Sequence, residues 1–327
     1  MFDTLASIIF SSVVQGIPLL FGATGEIITE KSGHLNLGIP GIMYVGGISG
    51  IVGGYLYEHF STNPTAFLCI AIPLVSSLLG SGLMALIYSF LTVTLRANQN
   101  VTGLALTTFG TGVGNFLGGS LLNFFGESGS ISLLTVSKYY KASFPFAEKL
   151  GPIGKIFFSY GFLAYLAVII ALLAHRFLKK TRAGLNLRAV GENPATADAA
   201  GINVTRYKYL ATLIGGMIAG LGGLYFVMDY TGGTWTNNGF GDRGWLAIAI
   251  VIFALWRPAG AIFASIIFGG LYICAIFIPG LSSAQKELFK MTPYVVTIIV
   301  LVLTSIRNRR ENQPPASLGL SYFREER

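Results

Sequence analysis

Charge is scarce in this 327-residue chain: Asp, Glu, Lys and Arg make up 11% of it, where a soluble domain carries roughly 25%. At 53% hydrophobic residues it is too apolar to persist as a solvated coil, which excludes overall disorder. Cysteine and histidine are nearly absent, with 2 and 3 copies. Cys69 and Cys274 lie inside apolar runs, without metal-site spacing or a disulfide framework, and read as free thiols. No G-x-x-x-x-G-K-[ST] loop occurs, since Gly151-Pro152-Ile153-Gly154-Lys155 lacks the spacing, so the chain has no ATP site of its own. His-Glu-x-x-His and G-x-S-x-G are missing, which removes the common zinc and serine hydrolases. Paired carboxylates inside the apolar runs are not expected, nor is the row of membrane acids found in many proton-coupled carriers. A membrane-embedded enzyme, or a secondary transporter or channel working alone, is therefore disfavoured. No metal or cofactor is expected on this chain.

Glycine, by contrast, is abundant, at 42 of 327 residues and without a G-X-Y period. Small residues let helices pack closely in lipid. The composition predicts an all-α, polytopic helical membrane protein. Stretches free of charge and histidine run over Thr4–Gly25, Leu35–Tyr57, Phe60–Leu95, Ala97–Gly126, Ile156–Ala174, Tyr209–Met228, Gly244–Trp256, Pro258–Gln285 and Met291–Ile306. About 20 apolar residues cross a ~30 Å hydrocarbon layer, so about nine transmembrane helices are predicted, some of them broken; Gly244–Trp256 is short for a full crossing. The first stretch has no basic region before it and reads as a retained helix. With the N-terminus outside and the C-terminus in the cytosol, most of the 22 Lys and Arg face inward, as the positive-inside rule requires. The net charge of +8 thus reads as topology and not as nucleic-acid binding. Residues 1–306 form one predicted transmembrane domain, with an external loop at 127–155 and a cytoplasmic loop at 179–208. The tail 307–327, with Pro314-Pro315, is predicted to be disordered.

Four polar segments stand out. In Gly191-Glu192-Asn193-Pro194-Ala195-Thr196-Ala197-Asp198-Ala199-Ala200-Gly201, Asn193 suits an N-cap, Pro194 a first helical residue and Gly201 a left-handed stop. The predicted two-turn helix, 194–200, is too short to be stable alone in water; it reads either as a plain connector or as a docking element. Gly25–Gly41 holds Glu26, Glu30, Lys31 and His34, then Asn36, Gly38, Pro40 and Gly41. It reads either as a solvated turn or as unwound backbone beside a translocation path, where such breaks are tolerated. Thr234–Trp245 sets Asp242 and Arg243 among Trp235, Phe240 and Trp245, either as a polar cavity lining or as an interfacial aromatic belt. Asn98–Gly103, continuing to Thr107, Thr108 and Asn115, carries polar groups into a span, as helix glue or as solute contacts.

The blocks Gly25–Gly41 with Ile42-Met43, Gly191–Ile202, and Gly241–Gly260 ending Leu255-Trp256-Arg257-Pro258-Ala259-Gly260 resemble the permease subunits of bacterial ABC importers in the ribose/branched-chain amino acid superfamily. The likeness is strongest to the nucleoside-type branch, although that branch often carries an acidic residue where Pro40 sits. The resemblance implies a transport subunit of a bacterial cell membrane, importing a nucleoside or, alternatively, a ribose-type sugar. It makes Gly191, Glu192, Asn193, Pro194, Ala197, Ala200 and Gly201 a coupling helix that docks on an ABC ATPase, which holds the ATP and Mg. It also implies a second permease subunit, expected to be a longer paralogue, and an extracellular substrate-binding lipoprotein. The path is then expected to involve Asn36, Gly38, Gly41, Thr107, Thr108, Asn115 and Asp242.

Overall fold

A computed structural model describes residues 2–126, 129–278, 280–307 and 313–323. Its helices are α1 (Phe2–Glu30), α2 (Ile39–Phe60), α3 (Ala66–Ser89), α4 (Gln99–Phe124), α5 (Leu134–Tyr140), α6 (Gly151–Phe157) and α7 (Phe162–Lys180). There follow α8 (Arg182–Glu192), α9 (Pro194–Ala199), α10 (Val204–Tyr225), α11 (Arg243–Phe253), α12 (Pro258–Ile273), α13 (Ser283–Lys290) and α14 (Thr292–Arg307). No strand occurs among the described residues, only an isolated bridge between Ser132 and Thr234. Single π-helical turns, Phe90–Thr94 and Phe226–Tyr230, extend α3 and α10. The protein is all-helical, as composition predicts.

Each predicted stretch coincides with a helix, but the helices differ in their capacity to cross a membrane. Thr4–Glu30, Ile39–Phe60, Ala66–Thr94, Phe162–Lys180 and Val204–Tyr230 are long and apolar enough. Helix α4 is long, yet threonine and asparagine dilute it; α11 and α12 are shorter apolar helices. The apolar stretch that begins at Pro258 does not form one long helix. It breaks after Ile273, and α13 starts afresh from a capping box between Ser282 and Gln285.

Helix α10 lies at the centre, against α1, α2 and α3, while α1 also packs on α12 and α11. Glycine sets these distances. At the α1–α10 crossing, a Cβ on Gly25 or Gly215 would run into the other residue's carbonyl oxygen. Lipid supplies no hydrophobic drive between helices, so such close approach is a main source of their cohesion.

Helix α1 overruns its predicted end by five residues. Glu26 and Glu30, one turn apart, are buried within it. A Glu26 oxygen accepts the Asn36 N–H at 3.0 Å, and Glu30 accepts the Trp256 indole N–H. Of the two readings of this segment, the solvated turn does not hold for the glutamates, and the expectation of no carboxylate pair in the apolar runs is overturned, since both lie in the candidate span Thr4–Glu30. Reading a charge as the end of a span placed both outside it.

The tail also departs from prediction. Residues 313–323 are not a loose extension but lie against the linkers at one end of the bundle. Ser317 N–H donates to the Gly191 carbonyl at 3.0 Å, and Gly319 N–H to the Gly33 carbonyl at 3.3 Å. Pro315 and Ser317 are buried. Its residues find acceptors on glycines without side chains to keep them apart, a complementarity that composition does not reveal. The 127–155 loop is likewise structured where described: α5 and α6 lie in it, and Tyr140 OH donates to the Ile70 carbonyl at 2.7 Å.

Gly215→Leu is expected to separate α1 from α10 and to abolish recovery of monodisperse protein in detergent, measured by size-exclusion chromatography. Gly112→Leu, on an open face of α4, is the matched control and should behave as the parent chain.

Candidate functional site

Two non-helical segments enter the bundle from opposite ends. The first, residues 31–38, follows α1 and turns back beside it; Gly33 takes a left-handed φ of 76°, which suits a residue without Cβ. Its backbone groups find internal partners. Leu35 N–H donates to Gln99 Oε1 at 2.8 Å, the Leu35 carbonyl accepts the Tyr88 hydroxyl, and the Leu37 carbonyl accepts the Thr107 hydroxyl at 2.8 Å. Asn36 Oδ1 accepts Gly38 N–H at 2.9 Å, ahead of α2, which begins with Pro40 in its first turn. His34 is fully buried, with Nδ1 and Nε2 each 2.7 Å from a threonine oxygen, Thr212 and Thr92. Burial, aided by the Lys208 charge, lowers its imidazole to about 3. The ring is therefore neutral and carries one N–H. One threonine accepts from it while donating to the carbonyl four residues back, and the other donates to the ring in place of its own carbonyl bond.

The second segment, residues 231–242, follows the π-turn of α10 and descends beside α2 and α4. Trp235 N–H donates to the Ile131 carbonyl at 3.1 Å, and Leu133 N–H to the Gly233 carbonyl at 2.9 Å. The Trp235 indole lies against Gly118, where a Cβ would strike it. Arg243 is buried at the start of α11. It donates to the Phe240 carbonyl at 2.8 Å and to Gln15 Oε1 at 3.1 Å, with its guanidinium 4.5 Å from the Phe226 ring centre. An arginine on an aromatic face and a carbonyl holds the turn. The segments meet where Gly244 packs on Pro40, too closely for a Cβ. Helix α11 is short because it begins there, inside the bundle: Ala247 lies at Gly22 of α1, and Trp256 reaches Glu30.

At this junction lies an uncharged polar cluster. Tyr44 OH donates to Asn115 Oδ1 at 2.5 Å. Asn238 N–H reaches Tyr44 OH at 2.8 Å and Asn115 Oδ1 at 3.2 Å, and Asn115 Nδ2 donates to Asn238 Oδ1 at 2.9 Å. The Tyr44 ring meets Trp235 edge-on at 5.1 Å, and Phe240 at 6.5 Å. Trp235 Nε1 donates to Asn237 Oδ1 at 2.9 Å. Asn237 and Asn238 are exposed. Asn115 is half-buried and stands about 24 Å along α4 from its start and about 14 Å from its end, counting 1.5 Å per residue, so the cluster lies in the half of α4 away from residues 31–38 and is open on the side of Asn238. Amide groups and aromatic rings here offer hydrogen bonds and π-faces without net charge. Among the described residues no group of three His, Cys, Asp or Glu is placed to hold a metal.

The predicted path residues fall into separate groups. Asn36, Gly38, Gly41 and Thr107 come together, but as packing: Asn36 is wholly buried, and Gly41 rests on the Leu106–Thr107 backbone. Thr108 is exposed on another face of α4, donating to Leu104 O. Only Asn115 belongs to the cluster. Asp242 is exposed at the start of α11. Tyr44 went unnoticed because it lies inside an apolar helix; its one signal was a phenol among glycines.

At the other candidate element, Asn193 Oδ1 accepts Thr196 N–H at 3.0 Å, Ala200 is the C-cap, and Gly201 has φ 80°. The capping follows prediction, with the helix one residue shorter. Not all the named residues face outward. Glu192, Asn193, Ala200 and Gly201 are exposed and Pro194 half-buried. Ala197 points inward against Val190 and Val204, and Gly191 abuts Lys31 and Gly33. Thr196 and Ala199, exposed with them, complete the outer face.

The model of the branched-chain amino acid transport system permease component matches residues 8–301. This chain belongs to that permease family. It is 34% identical to the nucleoside ABC transporter permease protein NupC of Lactococcus lactis, over 92% of this chain and 93% of that one. It is 29% identical to the guanosine ABC transporter permease protein NupQ of Bacillus subtilis, over 99% and 98%. A putative glucose ABC transporter permease, TsgC13 of Haloferax volcanii, is also 29% identical, over 98% of each. A second permease from each of the two bacteria matches as well, at 27% over 42% of this chain and 22% over 90%. With several apolar helices, this permease is a multi-pass membrane protein.

His34, neutral when folded, should bring a pH dependence. Between about 3 and the 6.5 of a free imidazole the unfolded chain binds the extra proton, so stability rises with pH across that window and falls on acidification. The melting temperature in detergent should drop from pH 7 to pH 5, at up to about 1.4 kcal/mol per pH unit. His34→Gln should flatten that slope; an equal slope in the variant would remove His34 as its source.

Proposed function

We propose that this chain is the membrane-spanning permease subunit of an ATP-driven importer for nucleosides. The observation that carries the reading is the Tyr44–Asn115–Asn238 cluster flanked by Trp235 and Phe240. A nucleoside has a flat base, several hydrogen-bond donors and acceptors, and no net charge. Amides and aromatic rings answer all three features, whereas a charged amino acid would need a counter-charge. The nucleoside and guanosine permeases among the relatives favour the same cargo. A sugar is the second reading, favoured by the glucose permease.

In this reading α4, α11, α12 and α14 join the five longer spans to give nine crossings, with the N-terminus outside and the tail in the cytosol. The contacts of residues 313–323 with the 31–38 and 96–99 linkers, α8, α9 and the start of α10 agree with one cytosolic end. A partner ATPase, which holds ATP and Mg, docks on the outer face of α9. A second, longer permease completes the path, and two permeases from each of two bacteria are consistent with such pairing. A binding lipoprotein delivers the cargo near the 127–155 loop. The cell membrane of a bacterium is the setting.

Uptake of radiolabelled nucleoside by the reconstituted transporter tests the cargo. Asn115→Ala removes the shared acceptor of the cluster and should lower uptake about tenfold, the scale of one to two neutral hydrogen bonds. Excess unlabelled nucleoside should compete, and ribose or glucose should not. Competition by sugar alone would transfer the assignment to the second reading.

The docking face has its own test. Ala200→Arg, at an exposed position, should leave insertion intact and abolish co-purification of the ATPase. Ala197→Arg would instead force a charge between Val190 and Val204 and damage the permease itself. An Ala200→Arg chain that binds its ATPase and transports normally would leave α9 a simple connector.

A further inference from the structure

The segment 313–323 contacts α8, α9, the starts of α4 and α10, Arg96 and the 31–38 linker, mostly through main-chain acceptors. The Gly191 carbonyl, at the end of α8, accepts both Ser317 N–H at 3.0 Å and Ser317 Oγ–H at 2.6 Å. The Gly33 carbonyl accepts Gly319 N–H at 3.3 Å. The Leu320 carbonyl accepts from Gln99 Nε2 at 3.3 Å and from the buried Lys208 ammonium at 3.5 Å. Tyr322 OH donates to Asp198 Oδ2 on α9 at 2.9 Å, and its ring packs on the Val190–Ala197–Val204 cluster. Arg96 lies 4.8 Å over the Phe323 ring.

The targets have a pattern. Gly191 and Asp198 belong to the α8–α9 unit. Gly33 belongs to the linker whose next residues are Asn36, Gly38 and α2, and α2 carries Tyr44 of the polar cluster. Gln99 opens α4, which carries Asn115. The segment therefore bonds at once to the proposed docking unit, to the linker that leads into α2 and to the start of α4. Gly191 also abuts Lys31 and Gly33 directly, so Ser317, sharing the Gly191 carbonyl, closes a three-way junction of α8, linker and strap.

We propose that residues 315–323 are a positioning strap for transport, carrying displacement of α8–α9 into the 31–38 linker and the start of α4. The proposal rests on the docking role given to α9 above. When the ATPase shifts α9, Tyr322 and Ser317 move with it, and the bonds at the Gly33 carbonyl and the Gln99 side-chain amide draw on the 31–38 linker and α4 together. Packed elements that slide as units respond to such a pull by shear and not by stretching. Without the strap, α9 would still dock, but its movement would reach the cluster only through the Gly191–Gly33 contact and the α10 connection.

The test uses the whole transporter, reconstituted with its ATPase and binding protein and supplied with nucleoside. The parent chain is compared with a chain lacking residues 313–323, with Ser317→Ala, Ser317→Thr and Tyr322→Phe, and with a Ser317→Ala/Tyr322→Phe double variant. Co-purified ATPase and basal hydrolysis should match the parent. Nucleoside-stimulated hydrolysis should fall about tenfold in the deletion and about threefold in Ser317→Ala and Tyr322→Phe, the latter being the scale of one neutral hydrogen bond. Ser317→Thr, which keeps the hydroxyl, should restore it. A merely structural segment would lower complex yield, basal and stimulated rates together, and that result would overturn the proposal. So would full stimulation in the deletion. Should the deletion fail to insert, the double variant decides: full stimulation there also overturns the strap. Failure of the docking reading is separately visible, as an Ala200→Arg permease that still binds its ATPase and is stimulated.

Discussion

Backbone buried inside a protein must find its hydrogen-bond partners within it, because an unpaired buried amide or carbonyl is costly. Helices meet this demand on their own, whereas residues 31–38 and 231–242 do not, and much of the molecule is arranged to satisfy them. Gln99, Thr107 and Tyr88 serve the first segment; Ile131, Tyr44, Asn115 and Arg243 serve the second. Tyr44 and Asn115, which meet the Asn238 N–H, also form the polar cluster, so satisfying the second interruption and assembling that cluster are one event.

Close packing makes those interruptions fit. Gly103 and Gly110 bring α4 against residues 37–41, Gly114 admits Tyr44, and Gly118 admits the indole of Trp235. A larger side chain at any of them would push α4 from the junction. The same economy governs the centre, where α1 and α10 meet at Gly25 and Gly215. Glycine costs helix propensity, roughly 1 kcal/mol relative to alanine, and within lipid the closer contact offsets it.

Ionisable groups inside the bundle are met only in part: one Glu26 oxygen by the Asn36 N–H, Glu30 by the Trp256 indole and Arg243 by carbonyl, amide and aromatic faces, while the other Glu26 oxygen and Arg243 Nε have no hydrogen-bond partner among the described residues. These residues lie at the ends of broken segments and fix their geometry. The junction is consequently neutral at its centre and charged only in its supports, an arrangement suited to an uncharged polar cargo.

Composition and the spacing of charge were enough to determine an all-helical membrane protein and the approximate extent of its apolar segments, because burial in lipid acts on every residue of a span alike. Caps were legible for a similar reason: Asn193, Pro194 and Gly201 act within their own turn of chain. The three ABC-permease blocks were legible as strings, and the family match over residues 8–301 agrees with them. What depends on residues far apart in the chain was decided only by the tertiary structure. Tyr44, Asn115 and Asn238 meet across gaps of 71 and 123 residues, and no local pattern marks them as neighbours. The helical run through Glu26 and Glu30 depends on Trp256, 226 residues away. The placement of residues 313–323 depends on carbonyls at Gly33 and Gly191. A main-chain acceptor has no sequence signature, since every residue carries one, and only the fold decides which are left open.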